Sequence, residues 1–308
     1  MRRFLVVGES ILDVISSSSE ERALPGGSPA NVAVGLGRLG NDVGLWTHLG
    51  ADPDGDLLRA HLTGSGVELL APIAGVTSRA LATLQPDGSA HYDFTVDWPR
   101  WPGGPAPEAA AEHLHTGSIA ALMAPGGGDV EQLLRDRCTA ATISYDPNIR
   151  PSLVDDAAAC RIRVEAIAAI SDVVKASDED LAWLYPGTRT LDAARHLLGL
   201  GPALVCVTLG AEGAVAVTGR DEVAVPRVAV DVADTVGAGD AFMSGLLDAL
   251  WERGLLGVAG RARLRAISGE DVRAVLSHAA LVAALTVARA GAAPPTRAEL
   301  DAWQVATP

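Results

Sequence analysis

Lysine is almost missing from this chain: Lys175 is the single one in 308 residues. A P-loop sets its lysine directly after a glycine-rich turn. Lys175 follows Val174 with no such turn before it, so Walker-type phosphate binding is excluded. Positive charge is scarce altogether, 24 Lys and Arg against 38 Asp and Glu, a formal net charge of −14. A nucleic-acid partner is therefore not expected, because it would require a basic face to neutralise phosphates. Aromatic residues are only 4%, so the core must be built from Ala, Val and Leu. The three cysteines, Cys138, Cys160 and Cys206, are scattered and form no CxxC pair. That excludes a disulfide framework and a zinc motif, and it fits a reducing, cytoplasmic setting. No stretch approaches the roughly 20 apolar residues that span a bilayer. The longest, Ala279 to Ala288, is too short, carries Thr286 and reads as a buried helix. Arg2 and Arg3 precede an apolar stretch, but Gly8, Glu9 and Asp13 interrupt it before a signal-peptide core forms.

What is present is apolar material: 48% hydrophobic residues against 20% charged, enough for a packed interior. The length allows two domains, but the pattern reads as one α/β unit over 1–308 with insertions. Phe4 to Gly8 is expected to be a short buried strand. A helix is expected over 28–39, with Ser28 as N-cap, Pro29 in the first turn and Gly40 as the stop. Asp42 to Leu49 reads as a strand, and 78–97 as a hairpin about a Pro-Asp-Gly-Ser turn. Beyond about residue 109 the two periods alternate. Strands are expected near 142–146, 172–175 and 203–208, and helices at 155–170, 178–184 and 190–198. Two short strands within 213–231 and two long helices, 238–253 and 271–289, complete the pattern. Such alternation implies a mostly parallel sheet with helices on both faces. The PGGPAP segment near 102 reads as a loop.

Two motifs invite a false reading. Gly35-Leu36-Gly37-Arg38-Leu39-Gly40 matches GxGxxG, the mark of a dinucleotide-binding oxidoreductase. That fingerprint must follow a strand and open a helix. Here the glycines end a helix and lead into a strand, so close helix packing is expected instead. His113-x-His115 lacks a third metal ligand, and each ring needs only a hydrogen bond.

The segment Asp234-Thr235-Val236-Gly237-Ala238-Gly239-Asp240, followed by an apolar helix, carries more chemistry. Small residues let a ligand approach the backbone, and the N–H groups at the helix start make an anion site. An acid in that first turn, Asp240, can complement the helix dipole. It can equally serve as a general base beside a transferring phosphoryl group.

This segment resembles the C-terminal signature of the PfkB (ribokinase-like) carbohydrate kinases, and Gly26-Gly27-Ser28-Pro29-Ala30-Asn31 resembles their N-terminal signature. The likeness runs over nearly the whole chain. It implies a three-layer α/β sandwich with a mostly parallel central sheet, plus a small β lid from about 11–30 and 75–100. It also implies the roles that follow. Asp240 is the base, with Gly237, Ala238 and Gly239 as the anion hole. Asp13, Gly26, Gly27 and Asn31 hold sugar hydroxyls. Arg150, in the Asp146-Pro147-Asn148-Ile149-Arg150 segment, meets a phosphate or a sugar-acid carboxylate through its planar fork. Lys175, Ser177, Thr208, Gly210, Gly213 and His278 belong to the nucleotide. Asp180 would act on magnesium through water, and Asp234, Val236 and Gly291 would line a monovalent-cation site.

The chain departs from the family's Asn-x-x-Glu segment, with Ser177 in place of Asn and Asp180 in place of Glu. Ser177 as a helix cap with Asp180 completing an acidic box is the competing reading. The resemblance implies ATP, Mg²⁺ and potassium as cofactors, and a sugar phosphorylated on a primary hydroxyl. Fructose comes first, because the Gly8-Glu9…Asp13 start and the DPNxR segment look like those of fructokinases. Ribose, 2-keto-3-deoxygluconate and a nucleoside stay open, as does a non-catalytic sensor on the same fold. Neither a membrane nor a nucleic-acid partner is expected, while exposed lid strands offer edges for a homodimer.

Overall fold

The computed structural model describes residues 2–16, 21–70, 75–84, 90–101 and 111–306. The Pro-Asp-Gly-Ser turn and the PGGPAP segment lie outside the described residues.

β1 (Arg2–Val7) shows why the central sheet forms. Phe4 and Val6 point to one face, Leu5 and Val7 to the other, and none is more than 3% exposed. A strand covered on both sides is what a parallel sheet between helix layers requires. β1 lies between β4 (Val43–Trp46) and β8 (Ala111–Gly117). β5 (Val67–Leu69) continues the sheet beyond β4. On the other side come β9 (Thr142–Asp146), β10 (Val173–Ser177) and β11 (Leu204–Thr208), all parallel. β12 (Ala214–Thr218) and β13 (Glu222–Val225) close that edge antiparallel. The nine-stranded order is β13-β12-β11-β10-β9-β8-β1-β4-β5.

One face is covered by α1 (Ser28–Arg38), α8 (Ala238–Glu252), α9 (Gly257–Arg265) and α10 (Gly269–Val287), packed about Phe4, Leu36, Leu246 and Leu276. The other is covered by α3 (Ser118–Leu122), α4 (Gly126–Arg137), α5 (Ala157–Ala168), α6 (Asp178–Leu184) and α7 (Thr190–Leu200), about Ile143, Tyr145, Val164 and Leu197. α2 (Pro53–Gly64) precedes β5, and α11 (Arg297–Ala306) ends the described chain. No helix among the described residues is long and apolar enough to cross a membrane.

Four strands form a separate sheet in the order β3-β2-β6-β7: β2 (Ile11–Ser16), β3 (Glu21–Gly26), β6 (Ser78–Leu84) and β7 (Ala90–Thr95). β2 pairs parallel with β6 across a long sequence gap, and the outer pairs are antiparallel. Asp52 fastens the entry to β6. Its carboxylate caps α2 at the Gly55 N–H (2.8 Å) and accepts both the N–H (2.8 Å) and the hydroxyl (2.6 Å) of Thr77.

The GxGxxG glycines do close α1, as expected. A Cβ on Gly35 would lie 2.2 Å from the Ser244 hydroxyl of α8, and one on Gly37 2.4 Å from the Ser65 carbonyl. These residues serve close packing, and no oxidoreductase reading survives. His113 hydrogen-bonds Thr142 and Ser144, each at 2.8 Å, and His115 meets the Ser144 hydroxyl at 2.9 Å through Nδ1, while its Nε2 is buried without a partner among the described residues. Burial holds both pKa values down, that of His115 to about 3.

Other expectations need adjusting. The strand expected over Asp42 to Leu49 is confined to Val43–Trp46. Ser28 is not the cap of α1: Gly27 is, and Ser28 is the first helical residue with its hydroxyl directed elsewhere.

Candidate active site

α8 begins where Gly237 adopts φ +74°, a left-handed conformation that a glycine takes without strain. A Cβ there would press within 2.6 Å of Ala292. Asp240, in the first turn, is 7% exposed. Its Oδ1 accepts the Ser28 hydroxyl at 2.7 Å and, at a long 3.4 Å, the Asn148 amide. Its Oδ2 accepts the Asn31 amide at 2.8 Å. Helix α1 thus brings two donors onto a carboxylate more than 200 residues away, and Oδ2 keeps a lone pair for a further donor. Of the expected anion hole, Ala238 already gives its N–H to the Thr235 carbonyl at 3.3 Å.

Lys175 comes up from β10 to the same place. Its ammonium is 2.9 Å from Asp146 Oδ2, and a Cβ on Gly239 would lie 3.0 Å from its Nζ. Burial works against this ammonium, but Asp146, Asp180 and Asp240 outweigh it and hold its pKa above the usual value. Burial also lifts the Asp146 carboxyl, to about 6, with Lys175 opposing. A cation and a helix N-terminus therefore converge beside a partly satisfied carboxylate. That arrangement can hold a phosphoryl group while a proton is removed next to it.

From there a groove of about 530 Å³ runs along the C-terminal edges of β10 and β11. Lys175, Ser177, Asp180, Thr208, Gly210 and Gly213 all line it. His278 does not. It turns to the opposite side of α10 and bonds Asp248 at 2.9 Å, while Ala280, Ala283, Ala284 and Val287 face the groove. The sequence missed this smooth wall, suited to a flat ring, because the histidine sits two residues out of phase with it on the helix.

Asp180 is likewise bound up in structure. One oxygen accepts the Ser177 N–H (3.0 Å) and hydroxyl (2.8 Å), while the other accepts the Ile149 N–H (2.8 Å). With Ser177 capping α6 in return, this is the capping box of the competing reading. Asp180 thus holds three donors and keeps one lone pair on Oδ1, so any action on an ion would pass through water. Among the described residues, no group of three or more His, Cys, Asp or Glu is placed to hold an ion.

At the other end stands the small sheet. Asp13 on β2 lies over Gly26, where a Cβ would meet its carboxylate oxygen at 2.0 Å and push that carboxylate aside. Burial raises the Asp13 pKa to about 6, with Arg150 lowering it and Asp240 adding to the rise. Gly27, at φ +98°, would drive a Cβ to 2.5 Å from the Glu9 carbonyl. Arg150 is exposed and donates to Asn148 Oδ1 at 2.6 Å, so Asn148 bridges Arg150 and Asp240. Arg150 also edges a second cleft, of about 640 Å³, between α3 and α5.

Ser28 was expected as a helix cap, and Glu9 and Asn148 only as parts of longer motifs, so none of the three was expected at the site. Asn148 lies inside the quoted DPNxR segment, but its φ of +36° and its reach to Asp240 belong to the tertiary fold. The corner of Asp234, Val236 and Gly291 is assembled. Asp234 accepts the Val236 N–H (3.0 Å) and the Gly291 N–H (2.9 Å), which hold its carboxyl below the usual range.

This geometry agrees with what similar proteins are. A fructokinase of Rhizobium leguminosarum bv. trifolii is 35% identical over 263 residues, 80% of this chain and 79% of that protein. The crystal structure of a fructokinase with bound ATP from Xylella fastidiosa superposes with a TM-score of 0.86 at 27% identity, covering 100% of both chains. A fructokinase double mutant from Vibrio cholerae O395, in a fructose-, ADP- and potassium-bound form, gives 0.83 at 27% identity over 98% of each. The profile of the pfkB family carbohydrate kinases matches residues 1–299. With its ribokinase-like three-layer fold and separate small sheet, the chain belongs to that family and is a sugar kinase.

Proposed function

We propose that this kinase transfers the γ-phosphoryl of ATP to a primary hydroxyl of a small sugar, fructose first. The observation that carries the reading is Asp240, poised between the small sheet and the groove with Lys175 and the start of α8 beside it. Asp13, Gly26, Gly27, Asn31 and Arg150 would hold the sugar. The groove from Lys175 to Gly213 would hold the nucleotide, its ring against Ala280, Ala283 and Ala284. The free lone pair of Asp240 Oδ2 takes the hydroxyl proton. The sugar oxygen bonds to the γ-phosphorus, and the bond from that phosphorus to the bridging oxygen breaks to release ADP. Lys175 and the α8 N–H groups stabilise the charge on the transferring group.

Magnesium is assigned to the nucleotide's own phosphates, where it would neutralise charge, with Asp180 reaching it through water. A monovalent cation is assigned to main-chain carbonyls at the Asp234, Val236 and Gly291 corner. The small sheet is assigned as a lid that excludes water from the transfer. Its outer strands β3 and β7 are the edges through which two copies would pair.

The test is ADP release from Mg·ATP with fructose, ribose, 2-keto-3-deoxygluconate, glucose, adenosine or no acceptor, with Asp240→Ala beside it. A fructose-dependent signal lost in the variant supports the reading. A preference for another acceptor overturns fructose and leaves the kinase.

A further inference from the structure

Glu9 is 2% exposed in the turn between the two sheets, and the mechanism above makes no use of it. Its carboxylate accepts the Ala120 N–H at 2.9 Å, and the Ser118 side chain beside it favours the charged form, both from the first turn of α3. Its own carbonyl lies where a Cβ on Gly27 would come within 2.5 Å. One residue thus touches the start of α1 through its main chain and the start of α3 through its side chain.

Both contacts lead into the sugar end. From Gly27 the chain passes straight to Ser28 and Asn31, the two α1 donors on Asp240. Ser118, at φ +53°, follows Gly117, whose missing side chain lets the Asp146 carbonyl approach to 2.2 Å of the Cβ position. Two residues beyond Asp146 is Asn148, also left-handed at φ +36°, which joins Asp240 to Arg150. Ser118 and Asn148 are the only non-glycine residues of positive φ among the described residues, and both stand at this edge. Strained backbone persists where surrounding contacts over-determine it. Glu9 supplies those contacts for Ser118.

We propose that Glu9 is a positioning residue of the sugar subsite, setting the distance between the α1 donors that orient Asp240 and the α3 edge beside Arg150. The inference rests on the kinase reading above. Charge matters to it as well as shape. Burial pushes the Glu9 pKa up to about 7, and its hydrogen bonds and Arg150 oppose the rise. The charged group that acts on Glu9 is Arg150, from the loop after β9, which acts on Asp13 of β2 as well. Ionised, the carboxylate accepts from Ala120, with the Ser118 side chain favouring its charge. Protonated, or replaced by glutamine, it keeps Ala120 but no longer carries the charge that Ser118 favours.

Steady-state kinetics of wild type, Glu9→Gln and Glu9→Ala test this with Mg·ATP and the acceptor that wild type prefers. Glu9→Ala is expected to raise the sugar KM about tenfold, with kcat and the ATP KM held within about twofold. Glu9→Gln should match wild type near pH 5.5 and exceed its sugar KM about threefold at pH 8. Asp13 titrates equally in both proteins and cancels from that ratio. An unchanged sugar KM in Glu9→Ala overturns the proposal, as does a parallel loss across kcat and both KM values.

A second readout needs no substrate. The Trp98 indole N–H donates to the Ala120 carbonyl at 3.0 Å, on the turn that Glu9 holds. Its NMR resonance, assigned with Trp98→Phe, should titrate with a midpoint near 7 in wild type and stay flat in Glu9→Gln. A flat wild-type trace overturns the proposal even if Glu9→Ala does not fold. Absence of sugar-dependent ADP release in wild type, beside a titrating indole, would fault the kinase reading and not the role of Glu9 in holding α3.

Discussion

The two sheets are secured in different ways. In the nine-stranded sheet both faces are dry, with Phe4 and Val6 under one helix layer and Leu5 and Val7 under the other. In the four-stranded sheet Leu12 and Val14 pack on Leu49 and Leu58, while Asp13 between them points the other way, toward Arg150 and Asp240. Burial of apolar surface contributes about 25 cal/mol per Å², so the large sheet is held far more firmly than the small one. The difference teaches a division of labour. Groups that must keep their geometry within a few tenths of an ångström, Asp240 and Lys175, ride on the large layer. Asp13, the acid proposed for the sugar, rides on the small sheet proposed as the lid.

The sharpest way to break this comparison is Asp240→Asn, which should lower turnover by about 10²–10⁴. Sugar and ATP affinities should stay near wild type, since the asparagine keeps the Ser28 and Asn31 contacts with small rearrangement. Isothermal titration of both ligands beside the rate assay checks it. Loss of either affinity would mean that Asp240 binds more than it catalyses.

On the small sheet, Asp13→Ala should raise the sugar KM about 10–100-fold, the worth of a charge-assisted hydrogen bond, with the ATP KM unmoved. Asp13 also carries a signed cost in stability. Its pKa is raised in the fold, so its contribution is fully present below the unfolded value and is lost as pH rises through about 6. Asp13→Asn should therefore melt higher than wild type above pH 6 while binding sugar worse. A lower Tm at pH 8 would contradict the burial argument.

Much of this site was legible because its chemistry needs small residues at fixed points. Gly237 must turn left-handed, and Gly27, at φ +98°, must lie against the Glu9 carbonyl, and both stand in motifs readable without a structure. Ser28 was misread because a helix cap and a partner for a carboxylate call for the same hydroxyl, and only the fold brings Asp240 near. His278 was misplaced by a helix phase that sequence could not anchor to the groove. Among the elements, β9 was read to the residue, since five buried positions end at a Pro. α9 went unread because its apolar residues, Val258 and Leu264, are too few to mark a face. β2 pairs with β6 over more than sixty residues, a contact no local pattern records.

The pH dependence sharpens the comparison further. If the ionised Asp13 accepts sugar hydroxyls, the sugar KM should fall about tenfold from pH 5 to 7 as the group loses its proton near 6. The ATP KM should be flat over the same range, because the groove's cation, Lys175, keeps its proton. Steady-state kinetics at constant ionic strength would show it. Parallel slopes for both ligands would place the titrating group on the large layer instead.

The smallest effect concerns the tether. Asp52 holds Gly55 and Thr77 with one carboxylate, tying α2 to the strand that enters the small sheet. Asp52→Ala removes a helix cap and leaves the Thr77 N–H without its acceptor, a loss of about 1–2 kcal/mol. Its pKa lies below the usual range, chiefly through the Thr77 hydroxyl, so the clasp holds at neutral pH and fails only in acid. The sugar KM should rise about threefold with kcat nearly unchanged. ADP release without sugar should increase, because a looser lid admits water to the phosphoryl group. Thr77→Val, which keeps the N–H bond and loses the hydroxyl, should fall between the two. If Asp52→Ala instead lowers kcat and leaves the sugar KM alone, the small sheet is no lid, and the two sheets share one task.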